Sequence, residues 1–402
     1  MATLDAAVSR DAKVIALVCV PHMLSHAYFL VLPTLFPVLQ PALGLSYTDL
    51  GLALTVFGLV AGFGQMPVGF LVDWLGGRRL LIAGMALQGA AIAAIGFVDS
   101  YWQILALMGL AGLAHTVYHP ADYAILTATV DRGRLGRAYG VHAFTGNLGF
   151  AIAPVFMVTV ATLWHWRAAY LAIGAIGILV AVALFLYRDL LREERRPAAA
   201  DKAPAPVGAK AGLRFLMSAP ILMCFAFFML QMAGSGGLRA FTVAALDRLF
   251  QTPLAAVNAA LFALVAGSAI GTLAGADYAD RVGPRIGTAV MTLGPAALLI
   301  VLVGAVPMPL VLLAATLAAV GFALGFLMPS RDLLLQSVTP DGAMGRAMGF
   351  ASSGANLAGG LVPVLFGWML DNFDPRWIFW FAAAFVALAL LTFSTVKGRY
   401  AG

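Results

Sequence analysis

The chain has 402 residues, of which 62% are hydrophobic and only 10% are charged, and its formal net charge is +6. An ordinary soluble domain carries about 25% charged residues, so this composition excludes that class. Apolar runs of about 20 residues, each long enough to cross a bilayer as a helix, recur along the chain.

We predict an all-α membrane protein with twelve transmembrane helices in two pseudo-symmetric six-helix bundles. The N-terminal bundle covers 1–187, with spans at roughly 14–38, 49–72, 80–98, 103–127, 138–162 and 168–187. Residues 188–218 are rich in Ala, Pro and charge, which favours a flexible cytoplasmic linker. The C-terminal bundle covers 219–402, with spans at roughly 219–245, 254–277, 286–304, 309–333, 344–369 and 376–396. Before the second span, Ser46 and Asp49 have the spacing of a capping box.

The basic residues alternate from loop to loop. If both termini are cytoplasmic, most Arg and Lys residues lie in cytoplasmic loops, and the opposite loops hold only Arg167, Arg248 and Arg376. This is the positive-inside pattern. It predicts a multi-pass protein of the cytoplasmic (inner) membrane, in contact with lipid, and it explains the positive charge without a nucleic-acid partner.

The second half of the chain repeats the first half at the same spacing. The repeated positions are Gly136, Arg137, Asn147 and Pro154 in the first half and Gly345, Arg346, Asn356 and Pro363 in the second. Parallel repeats of this kind build secondary transporters, with the solute site between the halves near the bilayer midplane. No phosphate-binding loop and no catalytic Ser-His-Asp or Cys-His grouping is recognisable, so we predict neither an enzyme nor a bound cofactor.

A short loop motif also occurs in both halves. In it, Asp is followed by Gly three residues later and by Arg two residues after that Gly. It reads Asp73, Gly76, Arg78 after the second span and Asp280, Gly283, Arg285 after the eighth. The acidic residue lies at the end of the preceding helix, and glycine permits the tight turn that follows it.

With these motifs the chain resembles the major facilitator superfamily over essentially its whole length. The resemblance implies alternating access by two bundles. It also implies gating contacts of Asp73 with the helix start near Gly345, and of Asp280 with the helix start near Gly136. The adjacent Arg346 and Arg137 are further gating candidates. The step Tyr118-His119-Pro120 is similar to bacterial members that include fosmidomycin-resistance-type exporters.

Five histidines lie within predicted spans, where ionisable groups are costly. They are His22, His26, His115, His119 and His142. The first two are four residues apart, as are the next two, so each pair shares one helix face. The resemblance implies that spans one and four line the central cavity. Three interpretations stay open: binding of protons or substrate, a structural role bonded to neighbouring helices, and ligation of a transition metal.

Other polar residues in the spans have two interpretations each. Arg239 contacts an anionic substrate or forms an ion pair, and Asn147 and Asn356 bind substrate or a neighbouring helix. Asp122 and Arg331 occupy equivalent repeat positions and carry opposite charge, which suggests a cytoplasmic gate between them. Arg331 has the adjacent Asp332 as its other candidate partner.

These features predict a monomeric secondary active transporter of a small organic solute, anionic or polar, coupled to protons. The alternatives are efflux of a drug or antibiotic and transport of a transition metal by the membrane histidines.

Overall fold

The computed structural model describes residues 2–191, 214–340 and 344–395, and every regular element within these ranges is helical. This confirms the all-α prediction. The chain divides into an N-terminal unit, Met1–Leu45 with Leu52–Ala199, and a C-terminal unit, Ser46–Gly51 with Ala200–Gly402. Most of the predicted linker, residues 192–213, lies outside the described residues, and the predicted bundle boundaries stay predictions.

Eight helices occur up to residue 186: α1 Ala2–Ala27, α2 Phe36–Leu43, α3 Tyr47–Leu75, α4 Gly77–Ala94, α5 Tyr101–His115, α6 Tyr118–Thr129, α7 Leu135–Leu163 and α8 Trp166–Leu186. Six more follow: α9 Ala219–Phe250, α10 Leu254–Val282, α11 Ile286–Ala305, α12 Leu310–Ser337, α13 Met344–Asn372 and α14 Arg376–Thr395. Within the described residues, eleven helical segments are long and apolar enough to cross a membrane.

The predicted first span, 14–38, is not one continuous helix. Helix α1 ends at Ala27, a single 3₁₀ turn covers Pro33–Leu35, and α2 begins at Phe36. Proline lacks the backbone N–H that a continuing helix donates, so Pro33 and Pro37 favour new helix starts over continuation. The apolar part of α1, which begins after Lys13, is therefore shorter than a full span.

The predicted fourth span is confirmed as one candidate membrane segment, Tyr101–Thr129, but a turn at 116–117 divides it into α5 and α6. Pro120 cannot donate to the carbonyl of Thr116, and its ring would clash with that carbonyl in a continuous helix. The Thr116 hydroxyl instead donates to the carbonyl of Leu113 at 2.6 Å, and α6 begins at Tyr118. This break separates His115, the last residue of α5, from His119 in the first turn of α6.

Two sequence predictions about helix ends are confirmed. Gly76 and Gly283 follow α3 and α10 with φ of +87° and +75°, a conformation that favours glycine. Ser46 and Asp49 form the capping box of α3. The Ser46 N–H donates to Asp49 Oδ2 at 2.9 Å, and the Asp49 N–H donates to Ser46 Oγ at 3.0 Å.

Helices α10 and α12 of the C-terminal unit approach each other closely along a row of small residues. A Cβ atom at any of five glycines would overlap a carbonyl of the facing helix; these are Gly267, Gly271, Gly275, Gly321 and Gly325. Their four-residue spacing is the small-xxx-small pattern that lets membrane helices pack backbone to backbone.

Candidate functional site

The five histidines predicted to lie in spans form one group in the N-terminal unit, here called the histidine cluster: His22, His26, His115, His119 and His142. The ring of His22 is central. Its centroid lies 3.6 Å from that of His142, 4.5 Å from that of His26 and 5.2 Å from that of His119. The sixth histidine of the chain, His165, is exposed at the start of α8.

Asp122 lies at one side of the cluster with 0% of its surface exposed. Its Oδ2 atom is 3.0 Å from His142 Nε2 and 3.3 Å from His22 Nδ1. It comes one helical turn after His119 on α6, so both residues lie on one face of that helix. Within the described residues its other oxygen, Oδ1, has no hydrogen-bond partner. The carboxylate is thus enclosed by imidazoles of its own unit.

The other side of the cluster is formed by His26 and His115, whose neighbours are aromatic. The ring of His26 lies 4.8 Å from that of Phe150, and the ring of His115 lies 4.7 Å from that of Phe29. Both ring nitrogens of His26 and the Nδ1 atom of His115 are buried without a hydrogen-bond partner in the part of the chain that the structure describes. Three polar atoms therefore lie without a hydrogen-bond partner among aromatic rings and the other imidazoles of the cluster.

Two glycines of α7 allow the cluster to form. A Cβ atom at Gly146 would lie 2.9 Å from His22 Nε2 and 3.2 Å from His26 Cε1. A Cβ atom at Gly149 would overlap the carbonyl oxygen of Met23 on α1. Helix α7 can therefore approach α1 closely enough to bring His142 against His22.

A second polar group in the C-terminal unit surrounds Arg331 of α12. Its Nη1 atom donates to Gln231 Oε1 on α9 at 3.2 Å, and its Nε atom donates to Asp332 Oδ1 at 2.9 Å. The guanidinium carbon lies 3.9 Å from the centre of the Phe228 ring. An ion pair, an amide and a cation–π contact together fix the orientation of this cation. The predicted gate between Asp122 and Arg331 stays a prediction.

The other candidate substrate residues lie in less enclosed positions. Arg239 of α9 is half-buried, with Nη2 3.5 Å from Met232 Sδ. Asn147 donates to the carbonyl of Ala143 on its own helix at 3.1 Å, and Asn356 is exposed on α13. Their predicted contacts with substrate stay predictions.

The predicted gating residues of the loops lie at helix ends. Asp73 and Asp280 are exposed in the last turns of α3 and α10, and Arg137 is exposed near the start of α7. Arg346 falls in the first turn of α13, but its side chain lies outside the described residues. The contacts expected between these residues and helices of the other half stay predictions.

The sequence profile of the Major Facilitator Superfamily matches residues 22–246 and 230–400, which together make up most of the chain. The chain belongs to the Major Facilitator Superfamily. This membership places it among multi-pass membrane transporters rather than enzymes, as the loop motif and the repeat predicted.

Three curated superfamily relatives have informative names. The "Probable L-galactonate transporter" of Escherichia coli (strain K12) is 29% identical over 153 residues, covering 38% of this chain and 34% of the relative. The "Probable sulfoacetate transporter SauU" of Cupriavidus necator is 24% identical over 165 residues, covering 41% of this chain and 38% of the relative. The chain thus spans little more than a third of the length of these two. The "Multidrug efflux pump Tap" of Mycobacterium tuberculosis (strain H37Rv) is 28% identical over 354 residues, covering 82% and 78%.

Solved superfamily structures are similar to the whole chain. The bacterial homolog of the human lysosomal transporter Spinster, in an inward-facing and occupied conformation, matches with a TM-score of 0.81 and 16% identity. The match covers 95% of this chain and 96% of that one. At this identity the similarity supports the fold alone.

Proposed function

We propose that this superfamily member is a secondary active transporter that moves a small anionic or polar organic solute across the cytoplasmic membrane by alternating access. The observation that carries the proposal is the set of buried nitrogens on His26 and His115, which lack protein partners in the described residues. A buried polar group without a partner costs about 1–3 kcal/mol, so a solute that supplies the partner gains affinity.

The surroundings of these nitrogens favour a particular kind of solute. A neutral imidazole offers one donor and one acceptor, which suits hydroxyl and carboxylate groups. The nearby rings of Phe29 and Phe150 can contact the carbon skeleton of the same molecule. We therefore propose a small hydroxylated or sulfonated organic acid as the solute class.

The cations of the membrane helices favour an anion. Arg239 and Arg331 both lie within helical segments apolar enough to span a membrane. A half-buried guanidinium suits carboxylate, because its planar fork of donors matches two oxygens. Galactonate and sulfoacetate, named for two relatives, both carry a carboxylate, which supports this class.

Drug efflux is the second candidate, and one observation favours it. The multidrug efflux pump Tap is similar to this chain over 78% of its own length, far more than the relatives named for organic acids. The two candidates differ in the solute that they bind, which is a drug in one case and an organic acid in the other.

A ligand-stabilisation screen of the purified full-length protein tests the proposal. Galactonate, sulfoacetate and related acids are compared with lipophilic drugs. A ligand present at 100 times its Kd stabilises the folded state by about 2.7 kcal/mol. We expect the acids to raise the melting temperature of the wild type and of the His165→Leu control. We expect a rise about half as large in the His26→Leu and His115→Leu variants, because a tenfold weaker ligand stabilises by about 1.4 kcal/mol less. Stabilisation by drugs alone contradicts the proposal and favours efflux.

Coupling to protons, a monomeric state and cytoplasmic termini belong to the same proposal. The charge distribution supports the orientation, since the positive-inside pattern holds along the chain. Reporter fusions at the C-terminus, active only on one side of the membrane, test the orientation. A periplasmic C-terminus would contradict it.

A further inference from the structure

Three histidines of the cluster, His22, His119 and His142, take no part in the solute binding proposed for His26 and His115. One ring nitrogen from each of His22, His119 and His142 can be chosen so that all three lie within 4.8 Å of one another. The three rings come from different helices, α1, α6 and α7. His22 and His142 are buried, and His119 is half-buried.

Asp122 orients one of these rings and lies beside a second. An ionised carboxylate only accepts hydrogen bonds, so its bond with His142 places the ring proton on His142 Nε2. His22 Nδ1 lies 3.3 Å from the same oxygen without forming a hydrogen bond. The opposite nitrogen of His142, Nδ1, then keeps its lone pair. A carboxylate that accepts from one nitrogen while the other faces a metal is the usual outer-shell arrangement of histidine ligands.

We propose that His22, His119 and His142 bind one divalent first-row transition-metal ion, with Asp122 as the carboxylate that orients His142. This site goes beyond the proposed transport of an organic solute. Zinc–nitrogen bonds of about 2.0–2.1 Å in a tetrahedral site leave ligand nitrogens roughly 3.4 Å apart, so the nitrogens approach one another by at most about 1.5 Å. The stacked rings of His22 and His142 must also rotate, so that their in-plane lone pairs converge on the ion.

The chemistry of the ligand set favours this class of ion. Imidazole nitrogens suit Zn²⁺, Cu²⁺, Ni²⁺ and Fe²⁺, whereas Mg²⁺ and Ca²⁺ prefer oxygen ligands. The carboxylate of Asp122 supplies a negative charge next to the ion, which offsets part of the cost of a cation in an apolar environment. Three protein ligands leave one tetrahedral position open for water or solute.

Cobalt substitution tests the site directly. The full-length protein is purified in detergent, freed of metal with a chelator and titrated with Co²⁺. We expect the visible absorption of tetrahedral Co²⁺ to grow until one ion per chain is bound, and Zn²⁺ to abolish it by displacement. A His119→Cys variant should bind Co²⁺ and gain the near-ultraviolet charge-transfer band of a cobalt–thiolate bond.

Substitutions separate the effect of losing a metal ligand from the effect of changing a neighbouring residue. His22→Gln and His142→Gln should weaken Co²⁺ binding roughly 100-fold or more, above the 10–100-fold loss expected for the outer-shell change Asp122→Asn. His165→Gln, which changes an exposed histidine outside the cluster, should keep the wild-type spectrum.

Three results would overturn the site. They are a wild-type protein with no stoichiometric binding of Co²⁺ or Zn²⁺, a His119→Cys variant that binds without the thiolate band, and His22→Gln or His142→Gln variants with wild-type affinity. The first result, with organic-acid stabilisation intact, indicates a cluster that bonds only to solute and water. Failure of solute binding with an intact cobalt spectrum contradicts the transport proposal alone.

Discussion

Asp122 Oδ2 and His142 Nε2 lie 3.0 Å apart on α6 and α7, and both side chains are buried in the N-terminal unit. A charge-assisted hydrogen bond of this kind is shorter and about twice as strong as a neutral one. It links two helices through the cluster that also contains His22.

Removal of the carboxylate should therefore destabilise the N-terminal unit. Asp122→Ala leaves the His142 imidazole without its acceptor, and a lost buried partner costs about 1–3 kcal/mol. Asp122→Asn keeps an acceptor oxygen and should cost less. Melting temperatures in detergent with chelator present should decrease in the order wild type, Asn, Ala, whereas Asp189→Ala, at an exposed carboxylate, should leave the value unchanged. Equal melting temperatures for Asp122→Ala and wild type would show that the bond contributes nothing.

The close approach of α7 to α1 gives a second prediction. Gly149→Ala places a Cβ atom on the Met23 carbonyl and should destabilise the fold, since overpacking typically costs about 1–3 kcal/mol. Gly140→Ala on the same helix meets nothing within 4 Å and should be neutral or slightly stabilising. Thermal unfolding of the pair measures the difference. Similar melting temperatures for both variants would mean that α1 and α7 do not pack this closely.

The start of α3 has a cap supplied by a distant residue of the C-terminal unit. Asp371 accepts from the N–H of Tyr47 at 3.0 Å, the N–H of Thr48 at 2.7 Å and the Thr48 hydroxyl at 2.6 Å. A carboxylate at a helix N-terminus satisfies free N–H groups and complements the helix dipole.

We expect Asp371→Ala to increase hydrogen exchange of the amides at the start of α3, because they lose their acceptor. Asp374→Ala, which removes the exposed ion pair with Arg376, is the matched control and should leave these amides unchanged. Unchanged exchange in Asp371→Ala would refute the cap.

The sequence predicted most helices because apolar runs and proline positions are local properties. It also predicted the glycine turns at Gly76 and Gly283 and the capping box of Ser46, which need only neighbours in the chain. The break in the first span was missed, and so was the short turn at 116–117 within the fourth span, although the span itself was predicted. Pro33, Pro37 and Pro120 were visible, but membrane helices often tolerate proline, so the residue alone does not decide between a kink and an end.

The site was predicted only in part. Spacing placed His22 with His26 and His115 with His119, but the distance between helices does not follow from spacing. His142 was a candidate site residue whose position relative to the other histidines was not predicted. Asp122 was assigned to a gate rather than to the cluster. The three-residue interval from His119 to Asp122 was the available signal, since it places both on one helix face. The interpretation of the histidines as proton carriers stays a prediction.

The proposed energy source gives a further prediction. Proteoliposomes with an imposed pH gradient should accumulate the solute, and a protonophore should abolish the accumulation. A sodium gradient of equal size at constant pH should have no effect. Accumulation driven by sodium, or insensitive to the protonophore, would reject proton coupling.

Uptake of labelled organic acid into proteoliposomes tests the central claim most directly. The wild type and the His165→Leu control should take up galactonate or sulfoacetate against a gradient, whereas liposomes without protein should not. His26→Leu and His115→Leu should bind the solute more weakly, with KM raised roughly tenfold for a lost hydrogen bond of about 1.4 kcal/mol. If the wild type transports lipophilic drugs but no organic acid, or if both cluster variants keep the wild-type KM, the account is contradicted.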